Sequence, residues 1–249
     1  MIRRCPDVAV AAHDRPLFIA DWLDVVFIHF ELEPRVLQPA VPFDLDLRDS
    51  RAYVSLVAFT QRRLRPAFGG RLAALLAAPL ADHAFLNVRT YVRHAGEAGI
   101  YFIAEWIPNR LAAWIGPATY GLPYRLGELT YAHDTAARRW NGIVRAARTH
   151  KDLRYMATAR EGFTCHTSPR GSLTAFLLER YTAFTSRGGQ RRRFAVDHAP
   201  WEQTPVDLRL VRTDLLSEAG EWSKHARLIA AHASPGVRGV TICAPQRIR

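Results

Sequence analysis

Cysteine is scarce and unpaired in this sequence. Cys5, Cys165 and Cys243 are odd in number, far apart and without a Cys-x-x-Cys spacing. That excludes a disulfide framework and a zinc ribbon, and leaves free thiols. Cys165 precedes His166, but neighbours along a strand point to opposite faces, so the pair is a weak basis for an activated thiolate. Lysine is scarcer still: only Lys151 and Lys224 stand among 34 cationic residues, and arginine carries the net charge of +11. Residues 1–125 contribute +2 and residues 126–249 contribute +9. An arginine preference this strong, beside abundant alanine, reads as the coding bias of a GC-rich genome and a scattered solvated face. Arg191-Arg192-Arg193, after Gly188-Gly189, reads as a turn entering a strand. No nucleic-acid motif accompanies the charge, which makes nucleic-acid binding the weakest functional reading. No run of 18 apolar residues occurs, so no membrane partner is expected. The apolar stretch Val8–Ala12 is too short for a secretory signal, and a cytoplasmic location is expected. Phosphate-binding glycine loops, a Gly-x-Ser-x-Gly elbow and kinase signatures are missing, and His83, His94, His133, His150, His166 and His198 occur singly. Neither a cofactor nor a metal is expected.

What is present is a chain of 249 residues, 49% apolar, enough for a sizeable core. Short strands dominate. Val25–Phe30 reads as a strand, and Ala52–Phe59 as another. His83–His94 places Phe85, Asn87, Arg89, Tyr91 and Arg93 on one face and Leu86, Val88, Thr90 and Val92 on the other. Ile100–Trp106 returns beside it. Tyr124–Ala132, Asn141–Ala147 and Leu153–Ala159 follow the same pattern. Helices are predicted at Arg35–Ala40, at Arg71–Ala78 within an otherwise irregular stretch, at Asn109–Thr119 capped by Asn109, and at Ser172–Phe184 capped by Ser172. Many strands with two or three helices predict a mainly β, closed antiparallel barrel. It is read as one domain over 1–249, with a core of about 17–215 and C-terminal strands to 249.

Several segments carry a resemblance. Phe27-Ile28-His29-Phe30, Val88-Arg89-Thr90-Tyr91-Val92, Gly99-Ile100-Tyr101-Phe102, Gly121-Leu122-Pro123-Tyr124, Leu177-Leu178-Glu179-Arg180-Tyr181 and His198-Ala199-Pro200-Trp201 occur in this order. Together they resemble the YqjF-like bacterial family of unknown function, from about residue 20 to 215. That family is similar in fold to acetoacetate decarboxylase, which implies a β-barrel around an apolar cavity. In the decarboxylases a helix leads to a proline followed by two lysines, one of which forms a Schiff base with the keto acid. The matching segment here runs from Tyr120 through Pro123 to Glu128, and Tyr124 and Arg125 stand where the lysines would be. A phenol forms no imine, and a guanidinium stays protonated. Schiff-base decarboxylation is therefore not expected.

The retained frame predicts a pocket for a small carboxylate, keto or apolar metabolite. Tyr124 and Arg125 would polarise a carbonyl or carboxylate, with Glu105 as a catalytic partner or the carboxylate that balances an arginine. Arg89, with Asn87 and Tyr91 on its face, would receive an anion through its guanidinium fork. His29, in an apolar strand, is either a core histidine or an acid–base group. Two readings remain open, an enzyme working without an imine and a non-catalytic binding protein using the same cavity. An exposed barrel edge or the Leu72–Leu80 segment would also support a homo-oligomer.

Overall fold

The computed structural model describes residues 14–249; Cys5 and the Val8–Ala12 stretch lie outside them. Its strands are β1 (Pro16–Leu32), β2 (Asp44–Leu45), β3 (Ala52–Pro66), β4 (His83–His94), β5 (Glu97–Ile107), β6 (Tyr124–Asp134), β7 (Arg139–Ala146), β8 (Asp152–Ala159), β9 (His166–Thr167), β10 (Thr182–Arg187), β11 (Gln190–Asp197), β12 (Glu202–Arg212), β13 (Arg227–Cys243) and β14 (Gln246–Ile248). The helices are α1 (Pro34–Leu37), α2 (Gly70–Leu76), α3 (Arg110–Thr119) and α4 (Leu173–Leu178). Among the described residues no helix is long and apolar enough to cross a membrane.

The architecture is the mainly β barrel that the strand pattern predicts. A wall of β13, β1, β3, β4 and β5 pairs antiparallel throughout. Both of its edge strands are forked. Along β5, Ile100 and Tyr101 pair with β10, while Glu105–Ile107 pair with β6; these two joints are parallel. Along β13, Thr241 and Ile242 pair with β11, while His232 and Ala233 pair with β12. One branch closes a ring through β10 and β11. The other runs through β6, β7, β8 and β12. The wall thus has a buried apolar surface on each face, which is why its strands read as nearly continuous apolar runs.

Alternation decides which side chain goes where. Val25, Phe27, Val57, Phe59, Phe85 and Tyr91 face the first ring. Val26, Ile28, Leu56, Leu86 and Val88 face the second layer, where Trp106, Trp140 and Trp222 fill the core. Asn109 caps α3 as predicted, its side chain accepting from the Ala112 amide at 3.0 Å. Ser172 likewise accepts from the Ala175 amide at 3.1 Å. The helix after Ser172 is much shorter than predicted. Glu179 leaves helical geometry at φ −90°, ψ 82°, and Thr182–Phe184 pair as strand with β11 and, at Ala183 and Phe184, with β5. The tertiary pairing overrides the local helical period.

Candidate functional site

The interior of the first ring holds a cavity of about 140 Å³, close to the volume that accommodates a benzene ring in an apolar protein core. Most of its wall is aromatic or aliphatic: Phe18, Trp22, Phe59, Phe85, Phe102 and Phe194 line it, with Ala112, Ile115 and Gly116 of α3. Against this background Asn87, Glu105 and Tyr124 form one row. Asn87 lies opposite Glu105 across β4 and β5, and Glu105 lies beside Tyr124 across β5 and β6.

Glu105 reaches the cavity because of a β-bulge. Val88 pairs with Ala104, but the next residue, Arg89, pairs with Phe102, so Ile103 is an extra residue on β5. Before the bulge Ile100 and Phe102 face the ring; after it Glu105 and Ile107 do, while Ala104 and Trp106 face the other core. Without the extra residue the phase set by Phe102 would turn Glu105 to the opposite face. Tyr124 is held from above by α3. A Cβ on Gly116 would stand 2.3 Å from its ring, so only glycine lets the helix lie there.

The electrostatics follow from burial. Glu105 is 2% exposed, and one carboxyl oxygen is buried without a partner. Desolvation holds its pKa well above the usual carboxylate range, which favours the protonated form, a hydrogen-bond donor. The Tyr124 phenol is also pushed well up, by burial first and then by neighbouring Glu105. His83 lines the same cavity with both ring nitrogens unbonded, and burial lowers its pKa to about 4.

A smaller recess adjoins the cavity, sharing Trp22, Phe59, Asn87, Phe102 and Val196 and adding Arg89, Arg180, His198 and Trp201. Arg89 is buried. Its Nη2 donates to the Leu177 carbonyl at 3.1 Å, its guanidinium lies over Phe27, and its Nε is buried without a partner. Among the described residues no carboxylate lies within ion-pair distance of it; Glu179 acts on it electrostatically, but its oxygens bond the Tyr181 hydroxyl and the Trp201 amide.

The residues singled out from the sequence therefore separate. Asn87, Glu105 and Tyr124 meet in the cavity, and Arg89 stands in the adjoining recess. Arg125 does not join them. As the next residue on β6 it faces the second core, stacked 5.3 Å from the Trp106 ring with Nη1 donating to the Glu218 carbonyl at 2.7 Å. The expected Tyr124–Arg125 pair is corrected accordingly, and Glu105 balances neither arginine. Tyr91 and His29 lie on the interior side but outside the cavity lining. Tyr91 donates to the Leu177 carbonyl at 2.8 Å, Ser55 Oγ lies 2.5 Å from the Tyr91 hydroxyl, and His29 Nδ1 lies 2.6 Å from Ser55 Oγ. Tyr91 has one proton and gives it to Leu177, so the chain of donors runs from His29 Nδ1 through Ser55 to Tyr91. Burial lowers the His29 pKa well below its ordinary value, consistent with a neutral ring. Lys151 bonds Ser217 at 2.8 Å and Lys224 pairs with Glu221, and neither lines the cavity.

A mainly β ring around an apolar cavity, with a buried carboxyl group and a phenol on its wall and no lysine in its lining, has an acetoacetate decarboxylase-like fold. Comparisons with known proteins agree on the fold. An acetoacetate decarboxylase-like enzyme from Sphingomonas wittichii RW1 superposes with a TM-score of 0.67 at 14% identity, covering 100% of both chains. The enduracididine biosynthesis enzyme MppR complexed with pyruvate gives 0.62 at 12%, covering 97% of this chain and 94% of that one. Acetoacetate decarboxylase from Legionella pneumophila gives 0.59 at 12%, covering 98% and 92%. The chain belongs to the DUF2071 family of uncharacterized conserved proteins, matched over residues 19–238. The uncharacterized protein YqjF of Bacillus subtilis is 28% identical over 184 residues, 72% of either chain.

Proposed function

We propose that this protein binds a small oxo-carboxylate with an apolar substituent and catalyses proton transfer at the carbon next to its carbonyl, without an imine. The observation that carries the proposal is the buried Glu105 carboxyl, one oxygen unbonded, beside Tyr124 and Asn87 in one row of a largely apolar cavity. With its pKa raised by burial, Glu105 and the Tyr124 phenol are two donors that would stabilise the charge developing on a carbonyl oxygen during enolisation. Arg89 supplies the receptor for the carboxylate. It lies two residues from Asn87 on β4, about 7 Å along the strand, a span that a 3-oxo acid bridges. Water takes the proton from carbon. A carbon–carbon double bond forms, and the carbonyl oxygen accepts a proton from Glu105. Reversal restores the ligand with its proton exchanged. Two fold relatives support the ligand class: one is an acetoacetate decarboxylase and another is complexed with pyruvate.

The test is solvent deuterium exchange into a set of 3-oxo acids, followed by proton NMR beside a thermal-shift titration. A saturable shift with accelerated exchange, both lost in Arg89→Met and the exchange alone lost in Glu105→Gln, is the expected result. Binding without exchange would leave a binding protein and remove the catalytic half. No binding to any oxo acid would remove the whole reading. Borohydride treatment with ligand is expected to leave Lys151 and Lys224 unmodified.

A further inference from the structure

Two helices beside the cavity, α2 and α3, present apolar side chains outward. On α2, Leu72, Leu75 and Leu76 share one face at helical spacing and are 69%, 70% and 75% exposed. On α3, Leu111 and Trp114 form the outer stripe, with Trp114 75% exposed, while Ala112, Ile115 and Gly116 of the same helix line the cavity. Phe68, just before α2, is 54% exposed. The two elements are tied together where Asn109 Nδ2 donates to the Pro79 carbonyl at 2.6 Å. A cluster of exposed leucines and a tryptophan is unusual on a surface left to water, and Leu80, at the end of the segment that follows α2, lines the cavity.

The charges around this face are mostly cationic. Arg15 lies over Phe68, Arg65 ends β3, Arg71 is on α2 and Arg110 begins α3. Among the described residues none of these four has a carboxylate within ion-pair distance. Arg62 and Arg63 stand on the same strand end; Arg62 pairs with Asp82, and Arg63 pairs with the buried Asp21. A face that meets a copy of itself across a two-fold axis would bring this cationic rim against its own image. An anionic bilayer surface complements both features, since it takes leucine and tryptophan into its interfacial zone and arginine against its headgroups. The absence of an apolar run excludes a spanning helix and is silent on this kind of contact.

We propose that the α2–α3 face docks on anionic lipid surfaces. The experiment is flotation of the full chain with vesicles of phosphatidylcholine, and of phosphatidylcholine mixed with phosphatidylglycerol, at low and high salt, beside sedimentation velocity without lipid. The chain is expected to float with the anionic vesicles only and to be released by salt. Leu75→Ser with Leu76→Ser removes flotation. Arg71→Glu with Arg110→Glu lowers partitioning on the order of tenfold or more. All four side chains are exposed, so circular dichroism is expected to be unchanged. Flotation that survives both double variants overturns the proposal. So does absence of flotation with a dimer that the leucine variant dissociates, which would make the same face a contact between copies. This readout is independent of the oxo-acid assay.

Discussion

The wall of β13, β1, β3, β4 and β5 has two buried faces of similar apolarity and different chemistry. On the outer one, Trp106, Trp140 and Trp222 fill the space against β6, β7, β8 and β12, and the polar atoms left unbonded there include the indole nitrogens of Trp106 and Trp140 and the Thr204 hydroxyl, with no carboxyl or guanidinium among these three. On the inner one the unbonded atoms include the indole nitrogens of Trp22 and Trp201, and beside them those of Glu105, Asn87, His83 and Arg89, groups that donate, accept or carry charge. A dry core closes on itself. The inner face is left open at the places where a ligand's oxygens would complete it.

Substitutions on each face sharpen the contrast. Trp106→Ala is expected to destabilise the fold by about 3–5 kcal/mol in urea unfolding, because the outer core cannot refill that volume. Arg89→Met is expected to weaken oxo-acid binding by about 2–3 kcal/mol in calorimetry while leaving stability equal or higher, since a buried guanidinium without a carboxylate is removed. Equal losses of binding and stability would place Arg89 in the packing only. Glu105→Gln is expected to act through pH. The folded pKa is raised, so above the ordinary carboxylate range the unfolded chain releases a proton that the folded chain keeps. Stability therefore falls as pH rises toward the folded pKa, by up to about 1.4 kcal/mol per pH unit, and Glu105→Gln removes that slope. Tyr124→Phe is expected to keep the ring under Gly116, to change stability by about 1 kcal/mol and to slow exchange. Arg125→Met, on the outer face with a half-exposed guanidinium, is expected to cost under about 1 kcal/mol and to leave ligand affinity unchanged.

Much of this was legible in the residues. The alternation of His83–His94 assigned Asn87 and Arg89 to one face, and strand spacing located most of the barrel. The site was legible in part. The sequence offers Glu105 either as a catalytic partner or as the carboxylate that balances an arginine, and gives no sign of the bulge at Ile103 that turns it to the cavity, which depends on pairing with Val88 and Arg89. Arg125 was grouped with Tyr124 by adjacency, where strand geometry sends neighbours to opposite faces. His83 was passed over as a single histidine; its row with Gln61 and Trp22 exists only once β1, β3 and β4 are in register. The length of α4 was misjudged for the same reason, because parallel pairing with β5 is non-local.

The central claim is that Glu105 stands as a neutral acid facing the ligand space. Infrared difference spectroscopy of the wild-type chain against Glu105→Gln, recorded across the pH range with and without bound oxo acid, measures this directly. The account predicts a protonated carboxyl band at neutral pH that shifts when ligand binds and persists well above the ordinary carboxylate range. A carboxylate band that titrates as a solvated glutamate does, indifferent to ligand, would contradict it.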